Sequence, residues 1–328
     1  MSYKVGFIGL KGHWYAVAEE LPELHDAHLV AVADDSPDML RRVPDFPGAT
    51  RETKTYQDWR EMLAREKLDV VVESGDDRER PDVVAACAER GIHVVAEKPL
   101  AKDLAHLDGV QQAVERAGIR ATMLITMRCL PNYLAMKAAV DRGAVGVVTQ
   151  AGAQKSYKLG DRPAWQRSRE TFSGIIPFIG IHVMDLIRWI TRREYVEVMA
   201  YSSNVAHPQV GDLEDNACVI ARLDNGASAA IRLDYCRPAA ALTHGDDRVR
   251  IAGDRGVIET MEGRVALITA EKGPRELPLP EPVAFFADFL DAVARGRPPF
   301  IPFSDCLRIT EVVLRAREAA ETGRPVRI

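Results

Sequence analysis

Apolar residues in the first third of the chain fall in short β-branched runs, each followed by a charged, amphipathic stretch. Tyr3 to Ile8, His28 to Ala33, Asp69 to Val72 and His93 to Ala96 are such runs, and their nearly unbroken apolar character predicts parallel strands covered on both faces. Between the last two, Pro81 at a first helical turn, the stripe of Val83, Val84, Cys87 and Ala88, and the closing Gly91 predict a helix. A second helix over Ala105 to Gly118 leads into Thr122 to Ile125, the last strand of this part.

From residue 122 the texture changes to alternating strands joined by tight turns. Ala217 to Leu223 and Ala227 to Leu233 flank Asn225-Gly226, which predicts a type I′ hairpin. Arg248 to Ile251 turns through Gly253-Asp254-Arg255-Gly256 into Val257 to Thr260. Helical spacing then returns, first as Phe285, Phe286, Phe289, Leu290 and Val293, then as Cys306, Ile309, Val313, Ala316 and Ala320. The expectation is an α/β chain with a doubly wound parallel sheet over residues 1–121 and, over residues 122–328, an α/β domain with a large, mostly antiparallel open sheet.

Composition narrows the class. At 328 residues the chain exceeds one ordinary hydrophobic core, and 47% apolar with 28% charged residues is the balance of a globular protein. A net charge of -5 offers no footprint for nucleic acid or an anionic membrane, so neither is expected as a partner. Cys87, Cys129, Cys218, Cys236 and Cys306 are far apart, form no C-x-x-C pair and sit in apolar or strand-like contexts that suit buried side chains. With no leader-like start and no apolar run of about 18 residues, the expected home is a reducing cytoplasm.

Candidate chemistry begins at the first strand end. Val5-Gly6-Phe7-Ile8-Gly9-Leu10-Lys11-Gly12-His13 closes a strand and opens a helix, where backbone amides can approach a pyrophosphate. The spacing is imperfect: Lys11 and Trp14 occupy the second and third glycine positions of G-x-G-x-x-G, and only a loop using Gly12 restores close approach. Asp34 ends the second strand 25 residues after Gly9, the place of the acidic residue that binds an adenosine ribose diol. An ordinary reading of Asp34-Asp35-Ser36 is a helix start capped by Ser36. A carboxylate there favours NAD over NADP, although Arg41 and Arg42 keep NADP open. Ser74, after the next strand, and Glu97 with Lys98, after the one beyond, complete the expected cofactor-binding set.

Glu97-Lys98-Pro99 ends a strand at the carboxyl edge of the sheet, where open α/β folds bind ligands. A lysine there could hold a substrate hydroxyl and relay its proton; judged alone, a solvated surface lysine is the favoured reading. The run from Asp69 to Pro99, D-V-V-V followed by A-E-R-G-I-H-V-V-A-E-K-P, resembles the glucose-fructose oxidoreductase/inositol dehydrogenase (Gfo/Idh/MocA) family. Ala138 to Gly146, Gly180-Ile181-His182-Val183-Met184-Asp185, Asp215, Asn225-Gly226, Gly253 to Gly256 and Thr322 to Val326 fall in that family's order, so the likeness covers nearly the whole chain.

The resemblance implies a Rossmann domain followed by a substrate-binding and oligomerisation domain, and an NAD(P)-dependent dehydrogenase or reductase acting on a sugar, cyclitol or related hydroxy compound. It implies a homodimer or homotetramer. It implies Lys98 and His182 as the catalytic pair and Asp185 beside His182 as a substrate or orienting group. Tyr157 and Arg128 join the expected substrate contacts. No His/Cys/Asp/Glu cluster has metal-ligand spacing, and no metal is expected.

The pattern also breaks. Where many members carry an Asp four residues before the histidine, this chain has Phe178; their triple glycine is Phe172-Ser173-Gly174. The common P-N-x-x-H is replaced by Asp76 to Arg80, and Glu73 intrudes on an apolar strand end. A less polar or an acidic substrate, the latter paired with Arg80 or Arg128, is one explanation. Sufficiency of His182 and Lys98 alone is another. A non-catalytic dinucleotide or sugar sensor, or an enzyme using bound NAD transiently for elimination or hydrolysis, stays open.

Overall fold

The computed structural model describes residues 2–328. Contacts group Met1–Leu124 with Ala284–Arg308 as one unit, and Ile125–Val283 with Ile309–Ile328 as a second. Sequence texture gave everything beyond residue 121 to the second domain; in the structure the chain returns to the first unit for the segment 284–308.

In the first unit, β1 (Tyr3–Ile8), β2 (Ala27–Ala33), β3 (Lys54–Tyr56), β4 (Val70–Glu73), β5 (His93–Ala96) and β6 (Ala121–Met123) form one sheet in the order β3-β2-β1-β4-β5-β6. Every pairing is parallel. The order reverses between β1 and β4, the switch point where such sheets open a ligand crevice beyond their carboxyl ends. The linking helices are α1 (Tyr15–Ala18), α2 (Pro37–Arg41), α3 (Trp59–Arg65), α4 (Arg80–Glu89) and α5 (Leu104–Ala117). Asp103 caps α5 by accepting from His106 N at 2.9 Å, and Gly118 ends it at a φ of 64°, the left-handed turn glycine permits.

In the second unit, α6 (Pro131–Asp141) precedes β7 (Val148–Tyr157), and α7 (Ile181–Thr191) precedes β8 (Tyr195–Ser203). β9 (Asn216–Leu223), β10 (Ser228–Asp234), β11 (Gly245–Gly253), β12 (Gly256–Met261), β13 (Arg264–Thr269) and β14 (Arg275–Glu276) follow, and β15 (Val326–Arg327) closes the chain. Between them lie α8 (Phe285–Arg295), in the first unit, and α9 (Phe303–Thr322). The nine strands run β14-β13-β12-β11-β7-β10-β9-β8-β15, and among the described residues β7 with β10 is the one parallel pair, the other neighbours being antiparallel. Alternation decides the faces: along β9, Ala217, Val219, Ala221 and Leu223 are buried while Cys218, Ile220 and Arg222 are exposed.

Two sequence expectations need correction. The Asn225-Gly226 hairpin forms, but only Gly226 has positive φ, at 85°, and Leu223 N bonds Ala227 O at 2.8 Å, so it is a three-residue loop instead of type I′. The cysteines are all free thiols, yet Cys218 and Cys236 are exposed, Cys218 because its place in β9 turns it outward. Among the described residues no helix is long and apolar enough to cross a membrane.

Candidate active site

The first unit gathers Gly9, Lys11, Gly12, Asp34, Ser74, Glu97 and Lys98 at the carboxyl ends of β1, β2, β4 and β5. Gly9 adopts a φ of 75° against the backbone of Gly75, so only glycine passes there without strain. A side chain at Gly12 would strike the Glu97 carboxylate and the Ser74 hydroxyl. The loop is therefore packed on its own sheet: Lys11 N donates to Ser74 O at 2.9 Å, Gly12 N to Ser74 Oγ at 3.1 Å, and His13 N to Glu97 Oε2 at 2.5 Å.

Asp34 is buried, accepting from Leu10 N at 2.7 Å and Ser36 N at 2.8 Å. Burial raises its carboxyl's affinity for a proton, and these two N–H donors oppose that. A carboxylate has about four acceptor positions, so two donors leave room for a diol. Ser36 also caps α2 from its hydroxyl, at 3.4 Å from Met39 N, so the capping reading and the Asp34 reading hold together. Asp34 lines an open cleft of about 770 Å³ with Gly9, Lys11, Asp35, Trp59 and Arg78. The indole Nε1 of Trp59 is shielded from solvent and has no hydrogen-bond partner in the protein.

Lys98 is buried, about 1% exposed, so it is no surface lysine. Its peptide bond to Pro99 is cis. Glu97 links it to the loop: Oε1 accepts from Lys98 N at 3.0 Å, lies 3.7 Å from Lys98 Nζ and 3.0 Å from His13 Nδ1. Burial alone would raise the Glu97 pKa, but His13, Lys98 and Arg80 outweigh it and hold the carboxyl well below its usual range. Arg80 is fully buried, bonding Glu73 Oε2 at 2.7 Å and Asp77 Oδ1 at 3.0 Å. Burial works against the Arg80 charge, yet these acids outweigh burial and keep it cationic. The two oddities of sequence, Glu73 on the strand end and Arg80 in place of histidine, are thus one compensating pair, and Arg80 is committed to it.

His182, Asp185, Arg128 and Tyr157 belong to the second unit. His182 is the second residue of α7, and a π-helical turn over Ile176–Gly180 delivers the chain to it. Gly180 lets that turn close on β10, since a Cβ would meet Leu233 Cδ1 at 2.7 Å. Phe178 packs edge-on against Phe172 and Trp165, with ring centroids 5.0 and 5.8 Å away. An aromatic cluster therefore stands where many members have a carboxylate. Asp185 does not lie loose beside His182: it takes a two-pronged bond from Arg128, at 2.7 Å from Nε and 2.5 Å from Nη2, with both side chains about 1% exposed.

Tyr157 sits in a polar cluster that sequence reasoning mostly missed. The Lys155 ammonium lies 4.7 Å from the Tyr157 ring centre, and the rings of His244 and Tyr235 lie 4.8 and 6.5 Å from it. Lys155 is buried and bonds Asp247 Oδ2 at 2.8 Å. The alternation of Ala151 and Ala153 along β7 was the available signal, because it puts Lys155 on the covered face.

A switch-point cleft edged by the buried Asp34, with a buried lysine held by the same carboxylate that grips the glycine loop, has the make-up of a dinucleotide-dependent enzyme of the Rossmann class. Residues 3–124 match the oxidoreductase family with NAD-binding Rossmann fold, and residues 133–259 match the Gfo/Idh/MocA C-terminal domain. The chain belongs to the Gfo/Idh/MocA oxidoreductase family, and it is an NAD-dependent oxidoreductase. It is 26% identical to the myo-inositol 2-dehydrogenase of Thermotoga maritima over 99% of this chain and 98% of that one. A solved Thermotoga maritima structure assigned to the oxidoreductases is 34% identical, with a TM-score of 0.93, and covers 99% of this chain and 100% of its own. An Agrobacterium radiobacter oxidoreductase solved with NAD+, L-tartaric acid and magnesium shares the fold at 21% identity, with a TM-score of 0.87 over 100% of this chain and 98% of its own.

The residues present fit NAD. Asp34 has acceptor capacity for a ribose diol, and it lines the open cleft together with the Gly9 and Lys11 end of the glycine loop.

Proposed function

We propose that this chain oxidises a secondary alcohol of a sugar or cyclitol, or reduces the corresponding ketone, with Lys98 and His182 handling the alcohol proton. The observation that carries the reading is the burial of Lys98 against Glu97 at the carboxyl edge of β5. When bound, the nicotinamide ring would take up the hydride in the oxidation and supply it in the reduction. The chain's own groups then bind, orient and move a proton. Glu97 stays ionised and fixes the lysine; the imidazole of His182 can both accept and release a proton, as the alcohol proton requires.

Asp34, Gly9, Lys11, Gly12 and Ser74 hold the dinucleotide in this reading, with the Asp34 carboxylate repelling a 2′-phosphate and so preferring NAD to NADP. Arg128 and Asp185 neutralise one another, and their pairing ties the segment after β6 to α7. The inositol dehydrogenase relative supports a polyol as substrate. The open face of the nine-stranded sheet supports a homodimer or homotetramer, and five free thiols support a cytoplasmic setting.

Replacing Lys98 by Met is the test. NADH affinity, read by fluorescence titration, is expected to change little, while turnover of a polyol accepted by the parent enzyme falls at least roughly 100-fold. Full activity in Lys98→Met sinks the assignment.

A further inference from the structure

We propose that Arg80 is a positioning residue for Lys98: its guanidinium braces the turn that carries the lysine and so sets where the ammonium stands. This deepens, and rests on, the reading above that Lys98 handles the alcohol proton. The β4–β5 ladder ends with Glu73 opposite Ala96, so Lys98 and Pro99 lie past the last paired position. There Lys98 N donates to Glu97 Oε1 at 3.0 Å, and Pro99 O accepts from Arg80 Nη1 at 2.5 Å.

Three further bonds fix the guanidinium from the other side. Nε donates to Glu73 Oε2 at 2.7 Å, Nη1 to Asp77 Oδ1 at 3.0 Å and Nη2 to Gly75 O at 3.1 Å. All three acceptors lie on the segment 73–77, between the end of β4 and the start of α4, whereas Pro99 follows β5. Glu73 is itself held, since its Oε1 accepts from Gly75 N at 2.7 Å. Arginine suits this task because its donors radiate from one rigid plane. With three directions taken by one loop, the plane cannot tilt without breaking a bond, and the fourth direction fixes Pro99 O. The side chain is fully buried, so solvent does not compete for these acceptors.

Charge balance alone does not account for the arrangement. Neutralising Glu73 takes one contact, yet the same guanidinium also meets a second acid and two neutral carbonyls. Lys98 is about 1% exposed, with Nζ 3.7 Å from Glu97 Oε1, so its place is decided by the backbone that carries it. Misplacing a reacting group by about 1 Å costs on the order of 100-fold in rate. Arg80 also acts on Glu97 at a distance: burial raises that carboxyl's pKa, and His13, Lys98 and then Arg80 bring it down. A substitution that keeps the charge and removes the planar fork separates the two effects.

Arg80→Lys is that substitution. In the cofactor-free protein, amide exchange followed by mass spectrometry is expected to rise at least roughly fivefold over residues 97–101, while β1 keeps the parent's protection. In polyol turnover kcat falls roughly 10- to 100-fold, with the polyol KM and the NADH affinity within about threefold of the parent's. Should Arg80→Lys fail to fold, Glu73→Leu/Asp77→Asn/Arg80→Met removes the buried charges together and must show the same local rise and the same loss of kcat. Unchanged exchange over 97–101, a loss carried by KM with kcat intact, or a rise spread over the whole first unit with kcat per folded molecule intact overturns the brace. Full turnover in Lys98→Met beside raised exchange in Arg80→Lys would instead sink the role given to Lys98 and leave the hold of Arg80 on the turn standing; an inactive Lys98→Met beside unchanged exchange in Arg80→Lys would do the reverse.

Discussion

Arg128 and Asp185 are separated by 57 residues and meet in a two-pronged bond with almost no solvent. A buried pair of this kind stabilises little against an apolar replacement, but removing one partner strands the other charge. Asp185→Asn is therefore expected to cost about 3–5 kcal/mol in urea denaturation, whereas Arg128→Met/Asp185→Leu should stay near the parent. Similar losses in both proteins would mean that the pair matters for something other than charge balance. At this scale the sequence marked candidate residues but not whom they face. Lys98 stood out because Glu-Lys-Pro is contiguous; the partners of Arg128, Lys155 and Arg80 did not, because each pairing depends on how distant segments fold together.

Strands and turns were legible where local spacing decides them. The runs that form β1, β2, β4 and β5 were visible as apolar blocks, and the β9–β10 hairpin as Asn-Gly between alternating segments. Its turn type was not, because Asn225 stays at negative φ. The two-residue loop with both positions at positive φ is instead Glu262-Gly263, at 53° and 77°, joining Met261 to Arg264. Glutamate lacks the side-chain compensation that makes asparagine tolerate this region, so Glu262→Asn should raise stability by about 0.5–1 kcal/mol, read as a higher urea midpoint with an unchanged m-value. The start of β5 carries a pH dependence. His93 Nδ1 accepts from Arg120 N at 2.9 Å, and burial, then the Arg120 charge, lowers the imidazole pKa. The unfolded chain, near pKa 6.5, then takes up a proton more readily than the folded one. This contribution is complete above about pH 6.5 and is lost as pH falls toward the lowered folded value. His93→Gln keeps an acceptor and removes the titration, so its stability should change less than the parent's between about pH 7 and 5. Parallel profiles for the two proteins would assign the acid sensitivity elsewhere.

Long-range arrangement was the least legible level. An amphipathic stripe such as Phe285, Phe286, Phe289 and Leu290 says that α8 buries one face, not that the chain has returned to its first unit to bury it. Alternation along β9 likewise said that one sheet face is covered without saying what lies on the other. That other face is wide and partly apolar: Tyr201 is 67% exposed, Ile220 65%, Met261 49% and Ile268 43%, on four different strands of one sheet. Single exposed apolar residues are ordinary, but several on one open face are a common sign of association. Arg250 and Glu259, 3.8 Å apart on the same face, add a polar component of the kind that sets register between copies. A closed two-fold assembly would pair this face with itself and cover, by usual standards, about 1,600 Å² in total. Light scattering after gel filtration should then report a dimer or tetramer at micromolar concentration, with a melting temperature that rises with protein concentration. Ile220→Lys, which places a charge on an exposed apolar position of this face, should give monomers whose melting temperature no longer depends on concentration. A parent protein that runs as a monomer would show that the face serves something else, and would leave the chemistry assigned to Lys98 untouched.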